Sequence, residues 1–306
     1  MTISELVSQM KSSYEGFSPA ASKEDLKKLE GLIGTLHPDL VALYSTHDGS
    51  TNAPGNDEGF LPARLMPISE VLEIQREMQA AKLPQLGNIV WLWNDDAGNL
   101  LGLYTTGLFA GWLTKFDHEE SFLIPAYRSI QSFMKAMLEN ARFPDEDARA
   151  CDLVGLDRDV PAVHMDDPIF VANDKKLREQ CIELADKTTD ENVRMLYVMS
   201  IIALTPASET ESLTDFFEVD HDCIPEAAVK LMDIREYYDA IPAVEKLAKE
   251  GDGNAVAAAT RMLVRAENEK AKEAVERLKS SLRGANLQWL HQWLEGRNLL
   301  RAPRWD

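Results

Sequence analysis

Two apolar runs of strand length flank a polar turn in the first half of the chain, and this feature restricts the fold more than any other. The chain reads NIVWLW at 88–93, NDDAGN at 94–99 and LLGLY at 100–104. Apolar runs of this length joined by Asn, Asp and Gly are typical of a β-hairpin. Alternating aromatic residues at 111–117 predict a third strand. A small antiparallel sheet is therefore expected.

Amphipathic helices are predicted before and after these strands. Ser22 is a candidate N-cap for the first of them, and Ser69 for another. Residues 129–138 have the apolar spacing of a closing helix, and Gly49 follows an apolar helix as a left-handed corner. Helices around a small antiparallel sheet indicate an α+β domain, which we place at 1–143.

Only helical patterns occur beyond residue 173. Asp190, Asp222 and Asp252 each precede an apolar helix, at a spacing of about 31 residues. Paired helices that stack with such a period form α-solenoids. The sequence therefore predicts an all-α domain of HEAT-like helical pairs over 173–306.

Acidic side chains are concentrated between the two predicted domains. The chain has a net charge of −19, and residues 144–174 contain nine acidic side chains but only two arginines. Together with three prolines, this composition predicts an acidic linker or draped segment at 144–172. Such an acidic surface repels nucleic acid and anionic membranes and attracts basic proteins, although acidity that only maintains solubility is the alternative.

The sequence also indicates where the protein resides. No apolar run reaches the ~18 residues that a membrane-spanning helix needs, and the first residues lack the pattern of a signal peptide. The three cysteines, Cys151, Cys181 and Cys223, have wide, unpatterned spacing, so neither a disulfide framework nor a zinc site is expected. We therefore predict a cytoplasmic protein.

Residues that could support catalysis occur only in short local clusters. Asp95 and Asp96 lie in the predicted hairpin turn, where Asp is common for backbone reasons. The Asp-His-Glu-Glu segment at 117–120 could bind a metal or move protons, but a solvated strand end also accounts for it. Nucleotide-binding, zinc-protease and hydrolase motifs are absent. We predict a non-catalytic protein without metal or cofactor; the alternative is an enzyme that uses 117–120.

Several motifs follow one another in a characteristic order in the first 140 residues. SKEDLKKLEGLIG and HPDLVALYSTHDGS precede GFLPARLMPISEVLE, the hairpin, WLTKFDHEES and AYRSIQSFMKAMLEN. This order resembles the SUKH superfamily, which includes a yeast regulator of cell-wall synthesis. Two departures from the family pattern occur: His37-Pro38 stands where Leu-Pro is usual, and Asp48-Gly49 stands where Asn-Gly is usual.

The resemblance implies a protein-binding function, because SUKH members mostly bind other proteins. Many bacterial members are similar to immunity proteins, which neutralise a toxin encoded beside them. The resemblance therefore implies a protein that covers the active site of a cognate toxin, and the acidic charge fits a basic, nuclease-like one. The alternative is an intracellular regulatory scaffold that docks cellular proteins on its helical half. No pattern in the sequence assigns an oligomeric state.

Acidic residues in loops form the predicted partner surface. We expect the two loops at 48–58 and 94–99 to lie along one rim of the sheet, because they precede or join strands. The residues of this predicted surface are Asp48, Asp57, Glu58, Asp95, Asp96, Asp117 and Glu119.

Tryptophan residues form two further groups in the sequence. Trp289 and Trp293 share one helical face, and with Arg297 they form an alternative partner patch of a composition that is common at interfaces. Trp91 and Trp93 lie two residues apart in the first strand, so we expect them to share one face of the sheet and to be buried.

Overall fold

The computed structural model shows two compact units. One is drawn from Met1–Met165 and Asp190–Leu196, and the other from Asp166–Thr189 and Tyr197–Asp306. The first contains a five-stranded antiparallel sheet with helices, and the second is helical. The predicted α+β and helical halves are thus confirmed, while the predicted domain boundaries stay predictions. The structure describes residues 1–13, 16–50, 63–80, 88–94, 98–116, 123, 125–140, 168–221, 223–251, 253–266 and 268–295.

The first unit is built on a meander whose strands pair with their neighbours in sequence, in the order β1-β2-β3-β4-β5. The predicted hairpin is confirmed, whereas the first helix and the last strand were not predicted. The elements are α1 Ile3–Ser13, α2 Lys23–Ile33, α3 Pro38–Tyr44, β1 Arg64–Leu65, α4 Ile68–Ala80, β2 Ile89–Asn94, β3 Leu100–Tyr104, β4 Leu113–Phe116, β5 Pro125–Tyr127 and α5 Ile130–Asn140.

The two predicted serine caps have different outcomes. Ser22 caps α2 as predicted, because its hydroxyl oxygen accepts a hydrogen bond from the Asp25 N–H at 3.1 Å. The prediction for Ser69 is wrong, since α4 already begins at Ile68. The Ile68 N–H donates to Oδ1 of Asp48, 2.8 Å away and twenty residues earlier in the chain. A carboxylate from a distant corner therefore performs the capping function that local sequence had assigned to Ser69.

The central strand β2 contains an irregularity that separates its two tryptophans. The pairing register between β2 and β3 shifts between Trp91 and Trp93, which makes Leu92 an extra residue. The Trp91 ring consequently packs on Phe116 of β4, with 5.8 Å between the ring centres. The Trp93 ring packs on Phe133 of α5, with 4.9 Å between the ring centres. The prediction that both tryptophans share one face is wrong, because a bulge reverses the alternation of side chains. Both are buried, as predicted.

The second unit consists of helices and two 3₁₀ segments. Its first helix begins at Pro168, so the predicted linker is helical over 168–172, and its other residues lie outside the described part of the chain. Residues before Tyr197 in the second helix belong to the first unit. The elements are α6 Pro168–Lys187, α7 Glu191–Ala203, a 3₁₀ segment Ala207–Phe216, α8 Cys223–Ile234, a short 3₁₀ turn Tyr238–Ala240, α9 Ile241–Glu250, α10 Gly253–Arg265, α11 Glu269–Ser281 and α12 Gly284–Leu294.

The later helices pack in two layers. Helix α10 contacts both α8 and α12, while α9 contacts α11 on the other side of the array. Helices α9 and α11 also pack against α10, so each layer covers the apolar face of the other. The helix starts predicted after Asp190, Asp222 and Asp252 are confirmed. The helices concerned, with α12, begin about 31 residues apart, at Glu191, Cys223, Gly253 and Gly284.

Ion pairs join side chains that are one such period apart. Arg265 donates to Asp233 at 2.7 Å, 32 residues earlier in the chain. Arg277 donates to Glu245 through Nε at 3.0 Å and through Nη2 at 2.8 Å, again across 32 residues. Both acidic side chains are only 10% exposed. Each arginine therefore holds its helix against the preceding helix of the same layer. The pKa of Glu245 indicates the strength of its pair with Arg277.

Replacement of Arg277 by Gln is expected to lower the free energy of unfolding at neutral pH, because it removes the hydrogen bonds that hold the Glu245 carboxylate. Hydrogen bonds from Arg277, followed by those from Lys249, lower the pKa of Glu245 to about 2 from its ordinary 4.5. A lowered pKa stabilises the fold above pH 4.5, and this contribution is lost as pH falls from 4.5 towards 2. Urea unfolding across this range should show a shallower pH dependence for Arg277→Gln than for wild type.

The matched control for this measurement is Lys187→Gln, because Lys187 pairs with Glu183 on an exposed helix surface. That variant should change the free energy of unfolding by less than about 0.5 kcal/mol. Equal losses in the two variants, or an unchanged pH dependence in Arg277→Gln, would contradict the assignment of the Glu245 pair as a joint between helices.

Candidate functional site

Four residues lie side by side across one end of the sheet. Arg64 of β1 pairs with Asn94 of β2, Asn94 pairs with Leu100 of β3, and Leu100 pairs with Phe116 of β4. Adjacent strands are about 4.8 Å apart, so these four residues span about 15 Å. We call them the loop-bearing row, because three acidic segments attach near them. Two of these segments were predicted from the sequence as acidic loops, and the third as the end of a strand.

Three segments attach to the loop-bearing row. Segment 51–62 leads into β1, segment 95–97 connects β2 to β3, and segment 117–122 follows β4. They contain seven acidic residues and no lysine or arginine. All seven lie outside the described residues. The partner role predicted for six of them, all except Glu120, stays a prediction, while the points of attachment of the segments are neighbours. The seven are Asp57, Glu58, Asp95, Asp96, Asp117, Glu119 and Glu120.

The start of segment 51–62 is fixed beside β1. The Ser50 N–H donates to the carbonyl oxygen of Leu65 at 2.8 Å, and the Leu65 N–H donates to the Ser50 hydroxyl at 2.9 Å. The Tyr44 hydroxyl donates to the Met66 carbonyl oxygen at 2.8 Å in the buried interior. Since the segment leads directly into β1, both of its points of attachment lie at this strand.

Gly49 allows this close approach of the chain to itself. Its φ is +93°, in the left-handed region that favours glycine. A Cβ atom at this position would lie 2.9 Å from the Pro67 nitrogen and 3.1 Å from Pro67 Cδ. The glycine predicted for a tight corner is therefore required both by its backbone conformation and by the contact with Pro67.

Asp48 has a structural contact in the same corner. Its N–H donates to the Pro19 carbonyl oxygen at 2.7 Å, and its carboxylate accepts the Ile68 N–H that begins α4. The side chain is half-buried. A partner contact by Asp48 stays a prediction, and its observed contacts hold the corner against α4.

His47, which the sequence analysis did not single out, packs inside the same corner. It is buried, and its ring meets the edge of the Phe17 ring at 5.2 Å. Burial, with a further contribution from Lys11, lowers the pKa of His47 to about 4. The imidazole is therefore neutral at physiological pH and forms part of the packing that holds the corner.

The cation in the loop-bearing row is neutralised within the fold. Arg64 donates two hydrogen bonds to the Glu70 carboxylate, at 2.7 and 2.6 Å, and both side chains are half-buried. Such a two-point pair fixes the guanidinium plane and its charge against the start of α4. Sequence inspection missed this pair because no helical or strand spacing predicts a contact from a strand to a helix start six residues later.

The alternative patch at the end of the helical unit is partly occupied by internal packing. Trp289 and Trp293 of α12 are both half-buried. The Arg261 guanidinium of α10 lies over the Trp293 ring, with its carbon 5.6 Å from the ring centre. Arg297 lies outside the described residues. Trp293 therefore joins α12 to α10, and a role of this patch in partner binding stays a prediction.

The described residues also bear on metal, thiol and membrane chemistry. Within them, no group of three His, Cys, Asp or Glu side chains could hold a metal ion. Burial raises the pKa of the Cys181 thiol to about 12, so this cysteine is not a thiolate nucleophile. The candidate segment 117–120 lies outside the described residues.

None of the described helices is both long and apolar enough to cross a bilayer.

Comparison with known proteins assigns no family. Neither a protein-family model nor a curated protein matches this chain. The resemblance to the SUKH superfamily therefore depends on the quoted motifs alone and stays a prediction. Function is accordingly inferred from the loop-bearing row and from the acidic segments that attach to it.

Proposed function

We propose that this protein is a non-catalytic, cytoplasmic protein that binds a basic partner protein through the segments attached to the loop-bearing row. The partner class that fits best is a cognate toxin with a basic, nuclease-like domain, whose active site the bound protein would cover. The observation that carries this proposal is the pairing of Arg64, Asn94, Leu100 and Phe116 in one row.

The charge of the attached segments supports a basic partner. Seven carboxylates occur in segments that start or end within about 15 Å of one another, and the segments themselves contain no lysine or arginine. Charges of one sign close together steer an oppositely charged protein and raise its association rate. Arg64, the nearest guanidinium in the row, is already paired with Glu70. Basic nucleases carry the complementary charge.

The way in which the segments are held also supports binding. A binding surface is effective when a rigid scaffold presents it, because less conformational entropy is then lost on association. Segment 51–62 starts at Ser50 and ends next to β1, where two hydrogen bonds join Ser50 to Leu65. Segment 95–97 connects the paired strands β2 and β3, and segment 117–122 follows β4.

A regulatory scaffold is the second candidate function. The observation that favours it is the two-layered helical array, in which helices start about 31 residues apart. We interpret this array as HEAT-like helical pairs, an architecture that presents extended surfaces to other proteins. In that function the helical unit, and not the loop-bearing row, would contact the partner.

Co-expression with the product of the adjacent gene tests the proposed function. In a host arrested by that product, the full chain should restore growth, and the two proteins should purify as a stoichiometric complex. Unchanged growth arrest together with the absence of a complex would contradict the immunity-type function. A complex with a harmless cellular protein would instead favour the scaffold.

A further inference from the structure

One layer of the helical unit contains a 3₁₀ segment in the position of a helix. Arg178 of α6 donates to Glu209 in the 3₁₀ segment at 2.9 Å, and Lys246 of α9 donates to Glu218 just beyond it at 3.1 Å. These contacts bridge 31 and 28 residues, close to the 32 residues that separate Glu245 from Arg277. The 3₁₀ segment thus stands in the layer of α6, α9 and α11.

This segment is not one continuous helix. It comprises residues Ala207–Phe216, in which short 3₁₀ pieces meet at a kink at Glu209, whose φ is −117° and ψ is 16°. Short 3₁₀ pieces of this kind are common as connectors between helices.

Apolar side chains are left at the surface where this segment ends. Phe216 and Phe217 are half-buried, and Val219 is 39% exposed. Only a few large apolar side chains elsewhere among the described residues are as exposed as Val219. Aromatic side chains that remain partly accessible are enriched at the centre of protein interfaces.

Acidic side chains alternate with these apolar ones. Asp215, Glu218 and Asp220 are all exposed. Glu218 pairs with Lys246, but both side chains are largely solvated, and such pairs contribute little. Neither Asp215 nor Asp220 forms an ion pair with another described residue. The surface therefore combines apolar contact area with the negative charges of Asp215 and Asp220, which form no ion pair with another described residue, and with Glu218 in a solvated pair.

We propose that residues 215–220 form a docking surface for a basic amphipathic segment of a partner protein. In this interaction, apolar side chains of the segment pack on Phe216, Phe217 and Val219, and its lysines or arginines pair with the neighbouring acids. Charge complementarity selects this occupant, since an acidic or uncharged segment would leave these carboxylates desolvated and unpaired. The surface lies on the helical unit, whereas the loop-bearing row belongs to the first unit.

The test uses the full chain and an 18-residue peptide of leucine and lysine whose apolar residues lie on one helical face. A scrambled peptide of the same composition serves as the probe for charge attraction alone. Fluorescence anisotropy should show that the amphipathic peptide binds at least about tenfold more tightly than the scrambled one. Hydrogen exchange should show slowed amides over 215–221 in the presence of the amphipathic peptide.

Two variants separate the apolar and the electrostatic parts of the proposed contact. Val219→Ser should weaken binding of the amphipathic peptide about three- to tenfold. The matched control is Val41→Ser, since Val41 of α3 is 37% exposed and lies in the other unit, and it should bind as wild type does. The triple variant D215N/E218Q/D220N should reduce both the affinity and its dependence on salt.

Three results would overturn the docking surface. They are equal binding of the amphipathic and scrambled peptides, equal affinity of Val219→Ser and wild type, and protection of amides outside 215–221 only. Because Val219 is exposed, its replacement by Ser should leave the melting temperature nearly unchanged. If the melting temperature falls, Val219→Thr keeps the shape of the side chain, and an unaltered affinity of that variant for the amphipathic peptide would also count against the proposal.

Discussion

Replacement of Gly49 by Ala is expected to lower the free energy of unfolding of the first unit by about 2–4 kcal/mol. The backbone φ of +93° costs any residue with a Cβ atom about 1–2 kcal/mol. The new methyl group would also lie 2.9 Å from the backbone nitrogen of Pro67, so the corner must open. Urea unfolding followed by tryptophan fluorescence measures this loss, because Trp91 and Trp93 are buried in the first unit.

Two other glycines of the first unit separate the cost of the backbone conformation from the cost of the contact with Pro67. Gly34 has a φ of +85° and a ψ of −157°, but an added methyl group would meet nothing within 4 Å, so Gly34→Ala should lose about 1–3 kcal/mol from the backbone conformation alone. Gly31 lies inside α2 with open space around it, and Gly31→Ala should gain about 0.5–1 kcal/mol. Equal losses for Gly49→Ala and Gly34→Ala would show that the contact with Pro67 does not hold the corner.

Neutralisation of four acids near the loop-bearing row is expected to slow association with the basic partner about tenfold at low salt. The variant replaces Asp57, Asp95 and Asp96 by Asn, and it replaces Glu58 by Gln. Steering by exposed charges acts mainly on the association rate, so the dependence of this rate on salt should become shallower. The melting temperature should stay nearly unchanged. Stopped-flow mixing across a salt series measures both effects.

The matched control removes four acids from helices of the same unit. Glu24 and Glu30 of α2 and Glu73 and Glu77 of α4 are exposed, and their replacement by Gln changes the net charge by the same amount. Because this variant leaves the three attached segments intact, its association rate should remain within about twofold of wild type. Identical slowing in the two variants would show that the overall charge, and not the loop-bearing row, attracts the partner.

Local patterns predicted the elements but not the contacts between distant parts of the chain. The hairpin and the helix starts near Asp190 and Asp252 followed from turn residues and apolar spacing, which are properties of neighbouring residues. The cap that Asp48 provides for Ile68 joins residues twenty positions apart. No local pattern distinguishes such a carboxylate from the nearer Ser69, so the tertiary contact overrode the local preference.

The bulge in β2 shows a second limit of sequence patterns. A period of two places Trp91 and Trp93 on one face, and a single extra residue reverses this relation for everything that follows. The run NIVWLW is apolar throughout, so its composition carries no sign of where the alternation breaks. Packing against Phe133 of α5 on one side and Phe116 on the other fixes the position of the break.

The candidate site could be predicted only in part, because local patterns show the acidic segments but not which of them become neighbours in the fold. The acidic segments are visible in the sequence, and loops between strands are natural binding elements. Their attachment in one row depends on the pairing of Arg64 with Asn94 and of Leu100 with Phe116, which is a property of sheet register. The pairing of Arg64 with Glu70 likewise depends on how α4 follows β1. Register and packing therefore decide which predicted acids become neighbours.

Hydrogen exchange of the full chain, with and without its basic partner, tests the binding role of the loop-bearing row most directly. Slowed exchange in segments 51–62, 95–97 and 117–122 together is the predicted result, because one partner surface would cover all three. Unchanged exchange in these three segments, with protection confined to the helical unit, would contradict the proposed function and favour the scaffold.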